Sequence, residues 1–152
     1  MSQYHSELLA PHHLLAAAEL EAQCFSQPWS ANALEILTRD GGFGIAVISD
    51  DGKLIGYGGM LTVLDEGQIT NVAVSPEFRR QGVGKVLMHE LKEEALRRGI
   101  ASISLEVRAS NLAARSLYLG LGFADAGIRK RFYSHPTEDA FVMLLNLNSS
   151  NS

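Results

Sequence analysis

An α/β (α+β) fold, built on a mixed and mostly antiparallel central sheet of about six to seven strands with about four flanking helices, follows from three features of the sequence. From Asp40 to Val74, strand-like runs alternate with tight turn signals, which gives an antiparallel meander. A strongly amphipathic stretch carrying Val83, Leu87, Leu91 and Ala95 on one face then separates two apolar runs, Gln68–Val74 and Ala101–Val107. Runs joined by a helix need a crossover and so lie parallel.

Each element has its own warrant. Leu14, Leu15, Ala18 and Ala22 recur at helical spacing between Pro11 and Cys24, in alanine-rich surroundings. Gln27-Pro28-Trp29 interrupts that helix, and Ser30 can cap a second, short one through about Thr38. Phe43–Ile48 is the first expected strand; Asp51-Gly52 is a hairpin signal, and Lys53–Val63 follows with Gly56, Gly58 and Gly59 marking a bulge or a close backbone approach. Asp65-Glu66-Gly67 turns the chain into the key strand, which Ser75-Pro76 ends because proline lacks the donor a ladder needs. Gly99 stops the amphipathic helix, Asn111 can cap a helix over Leu112–Leu119, and Phe123–Tyr133 and Asp139–Leu147 are two final strand-like runs.

At 152 residues and 46% hydrophobic content, residues 1–147 are expected to form one domain, followed by a disordered polar tail at 148–152. The single cysteine, Cys24, rules out an internal disulfide, and no apolar leader or long apolar run points to secretion or a membrane, so the expected location is the cytoplasm. A net charge of −4 argues against sequence-independent nucleic-acid binding, which depends on neutralising phosphates. His12 and His13 are adjacent rather than one helical turn apart, and no C-x-x-C occurs, so no metal is expected.

The most informative stretch is the turn Arg79-Arg80-Gln81-Gly82-Val83-Gly84 that leads into the helix carrying Lys85. Glycines at a strand-to-helix junction let successive N–H groups converge, and a helix N-terminus adds about half a positive charge there, which makes a seat for phosphate. The turn is not a Walker A loop: Arg79 stands where its first glycine belongs, and Val86 where its magnesium-binding hydroxyl belongs. Nor is it a dinucleotide fingerprint, which needs glycine at Leu87.

Past the helix, Ile103, Leu105 and Val107 share one side of a strand, and Ser102, Ser104 and Glu106 the other. A carboxylate in the middle of a sheet is costly unless it works or is paired, for instance with Arg108. Tyr118 lies seven residues after Asn111, about two turns along and so on nearly the same helix face; spacing alone leaves it either a core or a site residue.

R-R-Q-G-V-G-K after V-A-V-x-P resembles the pyrophosphate loop of the GNAT acyltransferases, in which backbone amides hold the diphosphate of acetyl-coenzyme A. L-E-V-R-A-S-N at Leu105–Asn111, A-R-S-L-Y-L-G-L-G-F at Ala114–Phe123 and E-D-A-F-V-M at Glu138–Met143 are similar to the bacterial ribosomal-protein alanine N-acetyltransferase family within that superfamily. The resemblance spans about Ile45 to Leu145. It implies that acetyl-coenzyme A is the co-substrate, and that Val72, Ala73 and Val74 hold the pantetheine arm. It further implies that Arg80, Gln81, Gly82, Val83, Gly84 and Lys85 hold the pyrophosphate, and that Asn111 contacts the cofactor. Glu106 becomes the proton acceptor and Tyr118 the proton donor, and the N-terminal segment of a ribosomal protein the partner. The chain departs from the family in its first forty residues and at Phe132-Tyr133, where two tyrosines are common.

The chemistry agrees with those roles. An α-amino group with a pKa near 8 is about one-tenth neutral at pH 7, so little base strength is needed, and a carboxylate suffices. A tyrosine can supply a hydrogen bond or proton to the departing thiolate, and a free N–H beside a bulge in the key strand can polarise the thioester carbonyl. Cys24, with no base near it in sequence, is expected to be a buried apolar residue, which favours direct attack over an acyl-enzyme. A small-molecule amine or lysine as acceptor, and a non-catalytic coenzyme A-binding module, are the alternatives; the joint presence of Glu106 and Tyr118 speaks against the second.

Overall fold

The computed structural model describes residues 3–147 and contains one seven-stranded sheet; the tail expected at 148–152 lies outside the described residues. The strands are β1 (Tyr4–Leu8), β2 (Gly42–Ser49), β3 (Leu54–Val63), β4 (Glu66–Val74), β5 (Ser102–Arg108), β6 (Ala124–Tyr133) and β7 (Glu138–Asn146). Their spatial order is β1-β2-β3-β4-β5-β7-β6, and every neighbouring pair is antiparallel except β4 with β5, the pair joined by the crossover helix. Helices α1 (Leu14–Cys24), α2 (Ala31–Leu34), α3 (Val83–Arg97) and α4 (Leu112–Gly120) flank the sheet, with short 3-10 turns at Pro11–His13, Glu35–Thr38 and Pro76–Phe78.

Sequence reasoning missed β1. Its residues Tyr4-His5-Ser6-Glu7-Leu8 pair with β2 along one edge only, so the strand carries no apolar run to betray it. The turn before β4 also falls earlier than expected, at Leu64-Asp65, with Leu64 in the left-handed region at φ 56°; Glu66 and Gly67 already belong to the strand.

Two cores lie on opposite faces of the sheet. Val83, Leu87 and Leu91 of α3 pack against Ile45, Val47, Ile69, Ile103 and Leu105, with Tyr118 and Leu121 added from the α4 region. Leu14, Ala17 and Leu20 of α1 and Leu34 of α2 pack against Ala46, Tyr57 and Ala73. Ile69 and Ala73 stand four apart on β4 and would share a face under strict period-two alternation, yet they enter different cores. A bulge explains this: Gly58 pairs with Val72 and Met60 with Ile69, so Thr70 and Asn71 together oppose Gly59. A Cβ on Gly59 would come within 2.5 Å of the Leu37 side chain and 2.7 Å of the Thr70 hydroxyl, so any larger residue there would force those side chains to move.

The bulge has a consequence one strand over. β4 and β5 pair only at Glu66–Ser102, Gly67–Ile103 and Gln68–Ser104. Beyond these, β4 keeps its ladder with β3 and β5 keeps its ladder with β7, so the two strands part toward their C-terminal ends and open a cleft in the sheet.

Candidate functional site

The cleft opens next to the glycine turn. Arg80 and Gly82 both adopt left-handed backbone, φ 65° and 83°, and the curl they impose starts α3 abruptly at Val83. Gly82 is the residue before the first helical turn and offers no side chain to cap it; the first helical bond there is Val86 N–H to the Gly82 carbonyl, 3.0 Å. The amides ahead of Val86 are orphans by helix geometry and carry the positive end of the helix dipole. Gly84 has open space around its Cβ direction, so the main chain is approachable. Arg80, Gln81 and Lys85 are exposed around this terminus, and the Tyr4 hydroxyl of β1 donates to the Gln81 carbonyl at 3.2 Å, fixing the turn from the sheet edge. The turn expected to seat phosphate thus forms a helix start with no side-chain cap and with cationic flanks.

Val72, Ala73 and Val74 lie on the part of β4 that has left β5. Their ladder with β3 uses one edge, and the other edge faces the cleft, where an extended chain can bond to alternate backbone groups. The Val74 carbonyl is also approached by Arg79 Nε at 3.4 Å. Cys24 is half-buried beside the same carbonyl, and its sulfur lies 3.6 Å from the Arg79 guanidinium, a cation rather than a base.

Glu106 sits on the wall of the cleft formed by β5, on the α1–α2 side of the sheet, with its side chain only 14% exposed. Sequence reasoning offered Arg108 as its partner; the structure gives others. Gln68 Nε2 donates to one carboxylate oxygen at 3.1 Å and Arg129 Nη1 to the other at 3.2 Å. A carboxylate has about four lone-pair sites, so two remain for a substrate amine or a water. Tyr118 belongs to the other face: it packs into the core beneath α3 and lies 5.9 Å, centroid to centroid, from Phe123. Burial raises its pKa, so its hydroxyl stays protonated and is a donor. No hydrogen bond joins Glu106 to Tyr118 among the described residues. Tyr133 has its pKa pushed up to about 12, by burial first and then by the charge of Glu106, against the opposing charge of Arg108.

Asn111 caps α4 as expected, accepting the Ala114 N–H at 3.1 Å, which leaves its amide nitrogen free to donate. Two further clusters surround the cleft. Glu21 is fully buried on α1, where its carboxyl accepts from the Tyr57 hydroxyl, from Asn71 Nδ2 at 2.8 Å and from the Trp29 N–H at 2.8 Å. That network ties the α1–α2 loop to the β4 bulge, and it gives Trp29 a structural contact through its backbone. Near β1, Glu7 and His13 bond at 2.9 Å while His12 approaches within 3.9 Å, an arrangement of possible metal-ligating atoms. His13 Nδ1, however, accepts the Ala10 N–H at 2.9 Å, so its Nε2 carries the proton and donates to Glu7. A nitrogen in that tautomer presents a hydrogen rather than a lone pair.

Gln68, Arg129, Arg108, Tyr133 and Glu21 were absent from the sequence-derived site. Gln68 could have been found: it sits two residues before Thr70 on the key strand and faces the same side as Ser104 and Glu106. Arg129 lies 23 residues from Glu106 and reaches it only because β7 sits between β5 and β6 in the sheet, which no local pattern encodes.

Comparison with known proteins gives one consistent result. Residues 14–123 match the family described as acetyltransferase (GNAT). A protein from Bacillus subtilis named putative ribosomal protein bS18-alanine N-acetyltransferase is 39% identical over 86% of this chain and 87% of its own length. The Escherichia coli K12 protein named ribosomal protein bS18-alanine N-acetyltransferase is 37% identical over 89% of this chain and 92% of its own. The crystal structure of the Escherichia coli ribosomal-protein-S18-alanine N-acetyltransferase superposes with a TM-score of 0.88 at 35% identity, covering 95% of this chain and 94% of the other.

Proposed function

The chain belongs to the acetyltransferase (GNAT) family, and from that premise we propose that it transfers the acetyl group of acetyl-coenzyme A to the α-amino group of an N-terminal alanine on a small-subunit ribosomal protein. It is an N-acetyltransferase, and members of its family use acetyl-coenzyme A. The acceptor follows from relatives at 37–39% identity that bear that activity in their names.

One observation carries the geometric side of the reading: β4 and β5 part after Gln68, with an uncapped helix start beside the open end and Glu106 on the wall of the gap. The amides of Arg80, Gln81, Gly82, Val83, Gly84 and Lys85, with the side chains of Arg80, Gln81 and Lys85, suit a diphosphate, the edge of Val72–Val74 that pairs with no strand suits the amides of a pantetheine arm, and Asn111 has a side-chain donor to offer. The thioester supplies an activated acyl group, so the protein has to present a neutral amine, polarise a carbonyl and satisfy a departing thiolate.

Glu106 takes the amine proton on a free lone pair, directly or through a water. Gln68 and Arg129 hold the carboxylate in position while it does so. An α-amine is about one-tenth neutral at pH 7, against roughly one in a few thousand for lysine, so a modest base meets an N-terminus halfway. Tyr118 gives a hydrogen bond to the thiolate. Because burial raises its pKa further above that of a thiol, hydrogen bonding outweighs full proton transfer in its contribution. A main-chain N–H at the Thr70–Asn71 bulge supports the carbonyl oxygen. Attack is direct, in a ternary complex.

The test is intact-mass analysis of purified small-subunit ribosomal proteins incubated with the enzyme and acetyl-coenzyme A. Gain of one acetyl group at the N-terminal alanine of a single protein is expected, with kcat reduced on the order of 100- to 1000-fold in Glu106→Gln and less in Tyr118→Phe. Acetylation confined to internal lysines or to small amines would overturn the acceptor assignment, and unchanged turnover in Glu106→Gln would remove the base.

A further inference from the structure

We propose that Arg108 is the positioning residue that holds the β6–β7 hairpin over the acceptor side of the cleft; this deepens the reading given above and rests on it. Arg108 stands two residues after Glu106 on β5 and faces the same side of the sheet. Its guanidinium does not touch Glu106. Nη1 donates to the Pro136 carbonyl at 3.1 Å and to Glu138 at 3.3 Å, Nη2 donates to the Ser134 carbonyl at 3.3 Å, and the cation lies 4.4 Å from the centroid of the Tyr133 ring. One side chain thus grips the hairpin at four consecutive-region points, residues 133, 134, 136 and 138. Glu138 extends the grip by accepting the Ser110 N–H at 2.5 Å, which ties the hairpin to the turn that leads into Asn111 and α4.

The gripped segment is not idle structure. Its Ser134 hydroxyl donates to Gln27 at 3.3 Å, and its His135 carbonyl accepts from Ser26 at 3.4 Å, so the hairpin meets the α1–α2 loop. These two loops together bridge the acceptor side, where Tyr133 lies close enough to Glu106 and Tyr118 to feel both. His135 has φ 59°, a left-handed conformation uncommon for a non-glycine residue. The carbonyls on either side of it, Ser134 and Pro136, are the two that Arg108 holds.

Three acceptors and a ring face around one planar fork demand arginine; an ammonium is a point charge and cannot reach all of them. Loss of the grip frees residues 133–138 while leaving the phosphate seat, on the other side of β4, untouched. An acceptor peptide then meets an unset roof, and acetyl-coenzyme A meets the same site as before.

The experiment compares Arg108→Gln and Arg108→Lys with wild type, using Arg131→Gln as the control, a charge removed from the same hairpin at a guanidinium that makes no hydrogen bond to the described residues. Steady-state kinetics with an N-terminal alanine peptide and amide hydrogen exchange over residues 133–138 are both measured. For Arg108→Gln the expected results are a peptide KM raised about tenfold, an acetyl-coenzyme A KM within about twofold of wild type, and exchange of the hairpin amides faster by about tenfold or more. Arg108→Lys falls between, and Arg131→Gln matches wild type. Unchanged hairpin exchange in Arg108→Gln overturns the proposal, as does a parallel rise in both KM values. If wild type acetylates no such peptide, the acceptor assignment fails instead, and hydrogen exchange alone still decides whether Arg108 holds the hairpin.

Discussion

On the side of the sheet covered by α3 and α4, the prospective cofactor seat is made of main chain: orphan amides ahead of Val86, left-handed turns at Arg80 and Gly82, and the unpaired edge of β4. On the side of α1 and α2, the prospective acceptor site is made of side chains drawn from distant segments: Gln68 and Arg129 on Glu106, Arg108 on the β6–β7 hairpin, and Glu21 holding Tyr57, Asn71 and Trp29. The two helix starts show the same contrast in miniature. α4 is capped by Asn111, whereas α3 starts at Gly82 with no side-chain cap among the described residues. A seat of backbone groups suits a ligand that is the same in every turnover, and its shape here is set by the left-handed turns at Arg80 and Gly82. A site of side chains can be tuned residue by residue to one acceptor.

The contrast can be broken most strongly at Glu21. Glu21→Gln keeps the shape but turns one acceptor oxygen into a donor, so at least one of its three donors, of which Tyr57 is fully buried, loses its partner at a cost of about 1–3 kcal/mol. Thermal unfolding should drop by roughly 3–10 °C. In the protein that remains folded the peptide KM should rise more than that of acetyl-coenzyme A, and equal shifts of both would erase the distinction between the two faces.

A smaller effect, confined to the other face, is expected from Gly84→Asp. Nothing lies within 4 Å of its Cβ direction, so the fold accepts the change, and a carboxylate in the first turn of a helix raises stability by a few tenths of a kcal/mol. The same charge repels a diphosphate at about 1–2 kcal/mol after screening, which raises the acetyl-coenzyme A KM about tenfold. Calorimetry and kinetics on one variant should therefore move in opposite senses; weaker melting together with unchanged KM would count against a phosphate seat there.

Next comes Asn111→Ala, which removes the cap of α4 at a cost of about 1 kcal/mol, seen as a fall of roughly 2–4 °C in Tm. A capped helix start should lose stability on this change, whereas Gly82, which caps nothing, offers no equivalent loss.

The smallest effect concerns pH. Tyr133 and Tyr118 both have raised pKa values in the folded protein, the former pushed up to about 12, and burial is the first cause for each. The unfolded chain therefore loses these protons first. Their contribution to stability is intact below the ordinary tyrosine value near 10 and is lost as pH climbs from there through about 12. Denaturant midpoints measured from pH 8 to 11 should stay level and then fall, with a shallower fall in Tyr133→Phe.

The sequence carried what local chemistry carries. Gly82 and Gly84 before an amphipathic helix, Pro76 after an apolar strand, Ser30 and Asn111 as caps, and the crossover that makes β4 and β5 parallel are each fixed by a residue's own backbone preference or by spacing along one segment. The strand carrying Glu106 was legible for the same reason. β1 was not, because an edge strand that buries little has no apolar signature, and the partner of Glu106 was not, because Arg108 is near in sequence while Arg129 is near in space.

Backbone geometry, in short range, belongs to the sequence of this chain: a turn curls because of the glycine within it. The parting of β4 from β5, the ion pair across β7 and the buried knot on Glu21 belong to the tertiary structure. The Glu106–Arg129 pair and the bonds from Tyr57 and Asn71 to Glu21 join groups between 23 and 50 residues apart, and such contacts exist only once the sheet order has set which strands become neighbours.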